Sequence, residues 1–318
     1  MSGFTWWTSE MSFKVLKPGV QATLQAAPRS GTRHLGVPAS GPADELSMAL
    51  ANRLVGNPSS ACALELSFGL VSLEADADCA IAFTGAPVEI ELAGDKVPMH
   101  RTLYIHGGET VSVGAAEAGA RLYMAVSGGF LADDFLGSAS TCLPAMVGGL
   151  KGRALRAGDT LSTGESEPSA DVETPANMHQ AFTHAFALRC VDGPDAELIS
   201  GWESGQDYAA TRRADRTGIE IAGSWPPLSN AGLKPSAPVF PGAVQLTPSG
   251  NAFILLPDSQ TTGGYPHVLQ VTRADRHLLG QIRPGDRVHF LKRTPEEAAD
   301  DLRRKTAYFR DWLPDLVL

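Results

Sequence analysis

Charge is scarce in this chain. Asp, Glu, Lys and Arg make up 19% of its 318 residues, against about 25% in an ordinary globular protein. With 43% hydrophobic residues beside it, so low a charge density excludes a disordered chain, which needs the opposite balance. Cysteine is also sparse. Cys62, Cys79, Cys142 and Cys190 lie far apart and form no C-x-x-C pair, which excludes zinc ribbons and fingers. Each sits among small or apolar neighbours, as in Ala61-Cys62-Ala63-Leu64, and reads as a free core thiol of a reducing compartment. No apolar run approaches the roughly 18 residues that span a bilayer. The opening Met1-Ser2-Gly3-Phe4-Thr5-Trp6-Trp7 lacks the basic and apolar regions of a secretory signal. A cytoplasmic protein with no membrane contact is the expectation.

Catalytic signatures are missing too. The P-loop, the dinucleotide fingerprint after a strand, Gly-x-Ser-x-Gly and His-Glu-x-x-His do not occur. Eight histidines are scattered with none at i, i+4, so no metal site is expected. The net charge of −9 repels phosphate backbones and argues against a nucleic-acid partner.

What the chain has in excess is glycine and proline, 33 and 22 residues. That excludes coiled coils and long helical bundles and leaves a turn-rich, mainly β protein. Short β-type runs recur between turn signals at Phe13–Leu16, Leu70–Leu73, Ala80–Phe83, Val88–Leu92, Thr102–Ile105 and Arg121–Val126. They resume at Ala187–Val191, Ala243–Leu246 and Ala252–Leu256. Such spacing suits barrels or sandwiches. One helix is predicted after Ser40-Gly41, with Pro42 at its first position, Asp44 and Glu45 on its dipole and Gly56 at C′. A second is predicted from a capping box at Thr272-Arg273-Ala274-Asp275, and a third from Thr294-Pro295-Glu296-Glu297 toward Tyr308. Residues 164–180, rich in Glu, Ser, Pro and Ala, read as a linker. The predicted organisation is therefore a first domain at 12–165, a linker at 166–184, a second domain at 185–292 and a C-terminal helix at 293–318. Arg156-Ala157-Gly158-Asp159 near the end of the first and Arg283-Pro284-Gly285-Asp286 near the end of the second echo one another. The echo reads as duplication or as shared turn chemistry.

Three clusters are denser in polar and turn residues than connection requires. Gly36–Asp44 leads into the first helix, and its free N–H groups would hold a carboxylate or phosphate, unless it is an ordinary loop and N-cap. Asp258–Pro266 gathers Gln260, Thr261, Thr262 and Tyr265 around Gly263 and Gly264, which allow close backbone approach to a ligand. The third joins Gly128-Gly129, Leu136–Thr141 and Gly148–Arg153, where Lys151 and Arg153 would meet an anion or simply face solvent.

These clusters carry a family resemblance. Gly36-Val37-Pro38-x-Ser40-Gly41-Pro42-x-Asp44, Leu50–Asn57 and Leu64-Glu65 resemble allophanate hydrolase subunit 2 and its relatives. Those relatives are the KipI antagonist, the C subunit of 5-oxoprolinase and the carboxyltransferase region of urea amidolyase. The likeness continues through Thr84-Gly85-Ala86, Arg121-x-Tyr123, Leu136–Thr141, Asp215-Arg216-x-Gly218, Pro241–Gln245, Gln260–Pro266 and Pro284-Gly285-Asp286. It implies two cyclophilin-like β-barrel domains with a few short helices, in a hetero-oligomer with a KipI-like (allophanate hydrolase subunit 1) partner. In the 5-oxoprolinase branch a third, LamB/YcsF-type subunit joins them, and ATP with Mg drives opening of a cyclic amide. In urea amidolyase the related region moves a carboxyl group from biotin, which here would need a carrier supplied in trans. A regulatory protein that sequesters a KipI-like partner is the remaining alternative.

On the 5-oxoprolinase reading, Arg29, Lys151 and Arg153 bind an anion while Ser40, Gly41 and Asp44 shape the helix-entry loop. Gln260, Thr261, Thr262 and Tyr265, with Gly263 and Gly264, would orient a small amide substrate. This chain departs from the family pattern at Ala26, Pro87 and Ala237, where relatives commonly carry acids, and at Pro28, where they carry glycine.

Overall fold

The computed structural model describes residues 11–165, 170–229 and 234–318. The first half comprises β1 (Ser12–Pro18), β2 (Gln21–Gln25), α1 (Glu45–Leu54), β3 (Ala63–Ser67), β4 (Val71–Ala75), β5 (Cys79–Gly85), β6 (Ile90–Leu92), β7 (Asp95–Val97), β8 (Leu103–Ile105), β9 (Thr110–Val113), β10 (Arg121–Val126) and β11 (Thr160–Ser162). The second half comprises β12 (Ala185–Asp192), β13 (Asp207–Ala214), β14 (Gly218–Gly223), β15 (Ala237–Pro238), β16 (Ala243–Leu246), β17 (Ala252–Leu255), β18 (Thr262–Gly263), β19 (His267–Val271) and β20 (Arg287–Lys292), followed by α2 (Pro295–Phe309). The protein is mainly β, as its composition predicts.

Two sheets, β11-β1-β4-β9-β6-β7 and β2-β3-β10-β5-β8, build the first half, whereas β12-β19-β16-β17-β14-β13-β20 closes into a barrel. Burial explains the sequences of the central strands. Every residue of β10 is buried. Leu122, Met124 and Val126 enter the core between the sheets, while Tyr123 and Ala125 face the other way, toward α1. The α1 face is lined by small residues, Ala63, Ala80, Ala82 and Ala125, so a helix can lie close against it. The same alternation places Glu65 and Arg121 on the α1 side of an otherwise apolar sheet.

Helix α1 starts later than Pro42. Asp44 is its N-cap and accepts from the Ser47 amide at 2.9 Å, while Gly56 supplies the left-handed residue after it (φ +77°). Thr294 and Glu297 cap α2 reciprocally with Pro295 at its start, as the motif predicts. The predicted capping box at Thr272 does not form. Asp275 turns away to bind the Arg189 amide and guanidinium, and Arg273–Gln281 is a 3-10 helix.

The two Gly-Asp turns are alike in detail. In each, the aspartate accepts from the amide three residues back, at 2.7 Å for Asp159 with Arg156 and 2.8 Å for Asp286 with Arg283. Each also clamps one strand residue with a pair of bonds. Gly158 and Asp159 hold Val15, and Gly285 and Asp286 hold Ala210. Shared turn chemistry accounts for the first feature but not the second, which favours two related halves.

Residues 166–169 of the predicted linker lie outside the described residues, and the remainder is not a free tether. Val172 packs beside α1, the Thr102 amide bonds to the Val172 carbonyl and the Thr174 amide to that of His100. His100 and His179 stack with centroids 4.2 Å apart. After α2, Leu313 and Leu318 bury against Leu46 and Leu50 of α1, so the C-terminal segment ties the second half back to the first.

This joint titrates. Burial, reinforced by His179, pushes the His100 imidazole down to about 4, and burial beside Lys305 pushes His277 down to about 3. Both lie below the unfolded value near 6.5, so the unfolded chain binds the extra protons as pH falls. Stability therefore declines from about pH 6.5 downward, by at most about 1.4 kcal/mol per pH unit for each histidine. Thermal melts at several pH values should show this slope, and His100→Phe should flatten it between about pH 6.5 and 4.

Candidate functional site

The halves meet around one buried guanidinium. An Asx turn at the β13–β14 connection, in which Asp215 accepts from the Thr217 amide at 2.7 Å, presents Arg216 to the first half. Arg216 is 2% exposed. It binds Asp258 in two places (2.9 and 3.1 Å), Glu65 at 2.5 Å and the Gly41 carbonyl at 2.7 Å. Arg121 lies 3.4 Å from the same Glu65 oxygen and donates to the Gly280 carbonyl. The other Glu65 oxygen accepts from the Ala43 amide and the Tyr123 hydroxyl. Burial alone would raise the Glu65 carboxyl, but Arg216 and Arg121 outweigh it and hold the group below the usual range. Burial likewise acts to lower Arg216, and its two carboxylates overcome this.

The network extends through Asp44, which accepts from the Ser47 hydroxyl at 2.6 Å and Gln281 at 2.7 Å. Gln281 in turn accepts from the amides of Ala120 and Arg121. Gly280 has to be glycine here, because a Cβ would stand 2.4 Å from the Ala43 carbonyl oxygen. Three N–H groups at the entry to α1 are therefore taken by the chain's own side chains. Ala43 donates to Glu65, Asp44 to Tyr123 and Ser47 to Asp44. The carboxylates that these amides meet are the chain's own, Glu65 for Ala43 and Asp44 for Ser47.

Arg29, the first candidate anion binder, is 1% exposed. Its guanidinium donates to the carbonyls of Phe135 at 2.8 Å, Ser138 and Ser140, and one nitrogen, Nη1, has no partner. No carboxylate bonds to this cation among the described residues, and burial lowers its pKa. Its amide bonds to the Ala39 carbonyl, beside Ser40. Ser40 holds the left-handed region at φ +54°, and its amide reaches the Pro257 carbonyl. The Ser40 and Ser259 hydroxyls are buried without partners as well. One guanidinium nitrogen and two hydroxyls are thus left without partners on three segments that the Arg29–Ala39 and Ser40–Pro257 backbone bonds join.

Gln260 follows Ser259 and lines an open cleft of about 860 Å³ on the barrel, together with Tyr265, Gln245, Arg212, Thr217 and Thr247. Gln260 donates to Gln245 at 3.2 Å, and Gln245 to the Tyr265 carbonyl at 3.1 Å. Thr262 and Gly263 form β18 against β15, and the Thr261 carbonyl accepts from Val239. Gly263 serves the chain's own packing, since a Cβ would lie 2.5 Å from the side-chain Nε2 of Gln245. Gly264 lies against the Lys234 carbonyl.

Arg153 is engaged elsewhere, in a two-point pair with Asp159 (2.7 and 2.8 Å) that closes the first Gly-Asp turn. Lys151 is exposed with φ +55°, and its amide is held by Asp133. The Ala26 amide donates to the Ser140 hydroxyl, which donates back to the Ala26 carbonyl. Pro28 presses on Gly41, and Pro87 and Ala237 are exposed.

The family resemblance includes Glu65, Arg121, Tyr123 and Arg216 but gives them no role, and it leaves out Gln281. The available signal is a charge inside an apolar strand, as at Leu64-Glu65-Leu66, since such a charge demands a partner.

Replacing Arg216 by Leu strands Glu65 and Asp258. Urea unfolding should show a loss of about 3–5 kcal/mol, and an effect below about 1 kcal/mol would mean that the seam is dispensable.

The carboxyltransferase domain family, subdomain A and B, matches residues 35–292. The chain is 31% identical over 302 residues to the C subunit of 5-oxoprolinase from Escherichia coli (strain K12), covering 93% of this chain and 96% of that protein. It is 30% identical over 304 residues to urea amidolyase of Saccharomyces cerevisiae, spanning 88% of this chain but 16% of the relative. The solved structure of TTHA0988 aligns at a TM-score of 0.79 and 35% identity, over 88% of this chain and 56% of that one. The K. lactis urea amidolyase structure aligns at a TM-score of 0.87 and 24% identity, over 96% of this chain and 20% of that one, and shares the fold. This chain belongs to the carboxyltransferase domain family.

Proposed function

We propose that this chain is part of an ATP-dependent amidohydrolase complex resembling 5-oxoprolinase, acting on a small cyclic or linear amide. A relative that it matches over 93% of this chain and 96% of its own length is named as the C subunit of 5-oxoprolinase. The observation that carries the reading to residues is the unpaired donor set of Arg29, Ser40 and Ser259. A buried guanidinium without a bonded carboxylate favours an anion or a carbonyl oxygen that gains negative charge. Ser40 and Ser259 would donate to the same oxygen, and Gln260 and Tyr265 would orient the amide from the cleft.

ATP, with Mg, would supply the activation of a carbonyl oxygen in the complex. The self-capped α1 supports placing the nucleotide on a partner, a KipI-like subunit or a LamB/YcsF-type third subunit. A second reading follows from the family's own name: transfer of a carboxyl group from biotin on a carrier in trans, with the same donors holding the carboxylate.

Reconstitution with both partner types decides between them. The expected result is ATP hydrolysis that requires 5-oxoproline and all three chains, and that falls about 100-fold, or about 2.7 kcal/mol, in Arg29→Met. Absence of turnover with every subunit present would overturn it, and turnover that requires a biotin carrier would establish the second reading.

A further inference from the structure

A second cavity lies away from the cleft, where both halves, the connector and the C-terminal helix converge. Its volume is about 490 Å³, within the usual range for small-ligand sites. Leu46 of α1, Phe182 of the connector, Leu278 of the 3-10 helix and Phe309 of α2 give it an apolar floor. Lys305 and Arg304 of α2 stand beside that floor.

The charges around it do not cancel. Asp301 is bound to Arg189 at 2.9 Å and to Arg293 at 3.2 Å. Asp275 is bound at both oxygens by Arg189 and approaches Lys305 only to 3.9 Å. The nearest polar neighbour of the Lys305 ammonium is the Nε2 atom of His277, at 3.2 Å, which in a neutral imidazole can accept one of its three protons. His277 is 2% exposed, and its Nδ1 atom has no partner. Arg304 is exposed and forms no ion pair among the described residues. Two cations thus line an apolar cavity. Asp301 and Asp275 are held mainly by arginines, and Asp275, Asp44 and Glu45 also act on Lys305. Arg304 is without a carboxylate among the described residues.

We propose that this cavity binds a small carboxylate carried on a short apolar body, its charge on Lys305 and Arg304 and its body on Leu46, Leu278 and Phe309. Because the walls come from α1, the connector and α2, an occupant fastens the second half and the connector to the first. Binding to the folded chain alone raises its stability by mass action.

Butyrate and its neutral isostere butyramide are suitable probes, compared on the whole chain at matched ionic strength. The melting temperature should rise saturably with butyrate, and butyramide should require about tenfold more for the same shift. Lys305→Met and the exposed Arg304→Ala should each weaken the butyrate response about tenfold. If Lys305→Met fails to fold, Arg304→Ala alone carries this comparison. Butyrate should also protect Lys305 in the wild-type chain from acetic anhydride, read by mass spectrometry. Equal shifts from the two probes, an unchanged response in folded Arg304→Ala, or unaltered labelling of Lys305 would each overturn the proposal.

Discussion

The seam between the two halves turns on one buried cation. Arg216 reaches across from the second half to a carboxylate on the first, Glu65, while keeping Asp258 of its own half. All three are buried, so none can turn to water when its partner is lost. Such an arrangement is poor at adding stability relative to apolar packing, but breaking it is expensive. That asymmetry fixes how the halves sit. The helix-entry loop, the N-cap of α1 and the end of the 3-10 helix take their positions from the same bonds.

The seam also sets what is free to act. Glu65 and Tyr123 take the amides of Ala43 and Asp44, while Arg29, Ser40 and Ser259 are among the buried groups nearby with unfilled bonds. On the proposed reading these donors, at a joint held by paired charges, would suit an oxygen that becomes negative. Electrostatic stabilisation of that kind works best where the donors are already in place.

Local chemistry is legible in the sequence and distant pairing is not. The α2 capping box, the Gly56 terminus and the two Gly-Asp turns depend on neighbours within a few residues, and the structure has them where the sequence puts them. Thr272-Arg273-Ala274-Asp275 has the same local form as a capping box, yet Asp275 goes to Arg189, 86 residues away. A capping bond contributes about 1 kcal/mol, and a partly buried carboxylate–guanidinium pair displaces it. Arg153 misleads for the opposite reason, because its partner Asp159 is close in sequence but reads only as a turn residue. The Arg216–Glu65 contact spans 151 residues, and no pattern of spacing announces it. The mainly β fold is legible from turn density and from resemblance, whereas closure of one half and not the other depends on strand pairing between distant segments.

If Arg216 is what makes two halves one cooperative unit, scanning calorimetry tests it directly. The wild-type chain should unfold in a single transition with equal calorimetric and van't Hoff enthalpies. In Arg216→Gln the transition should split in two, one for each half. A wild-type chain that already melts in two steps, or a variant that keeps one cooperative transition, would contradict the account.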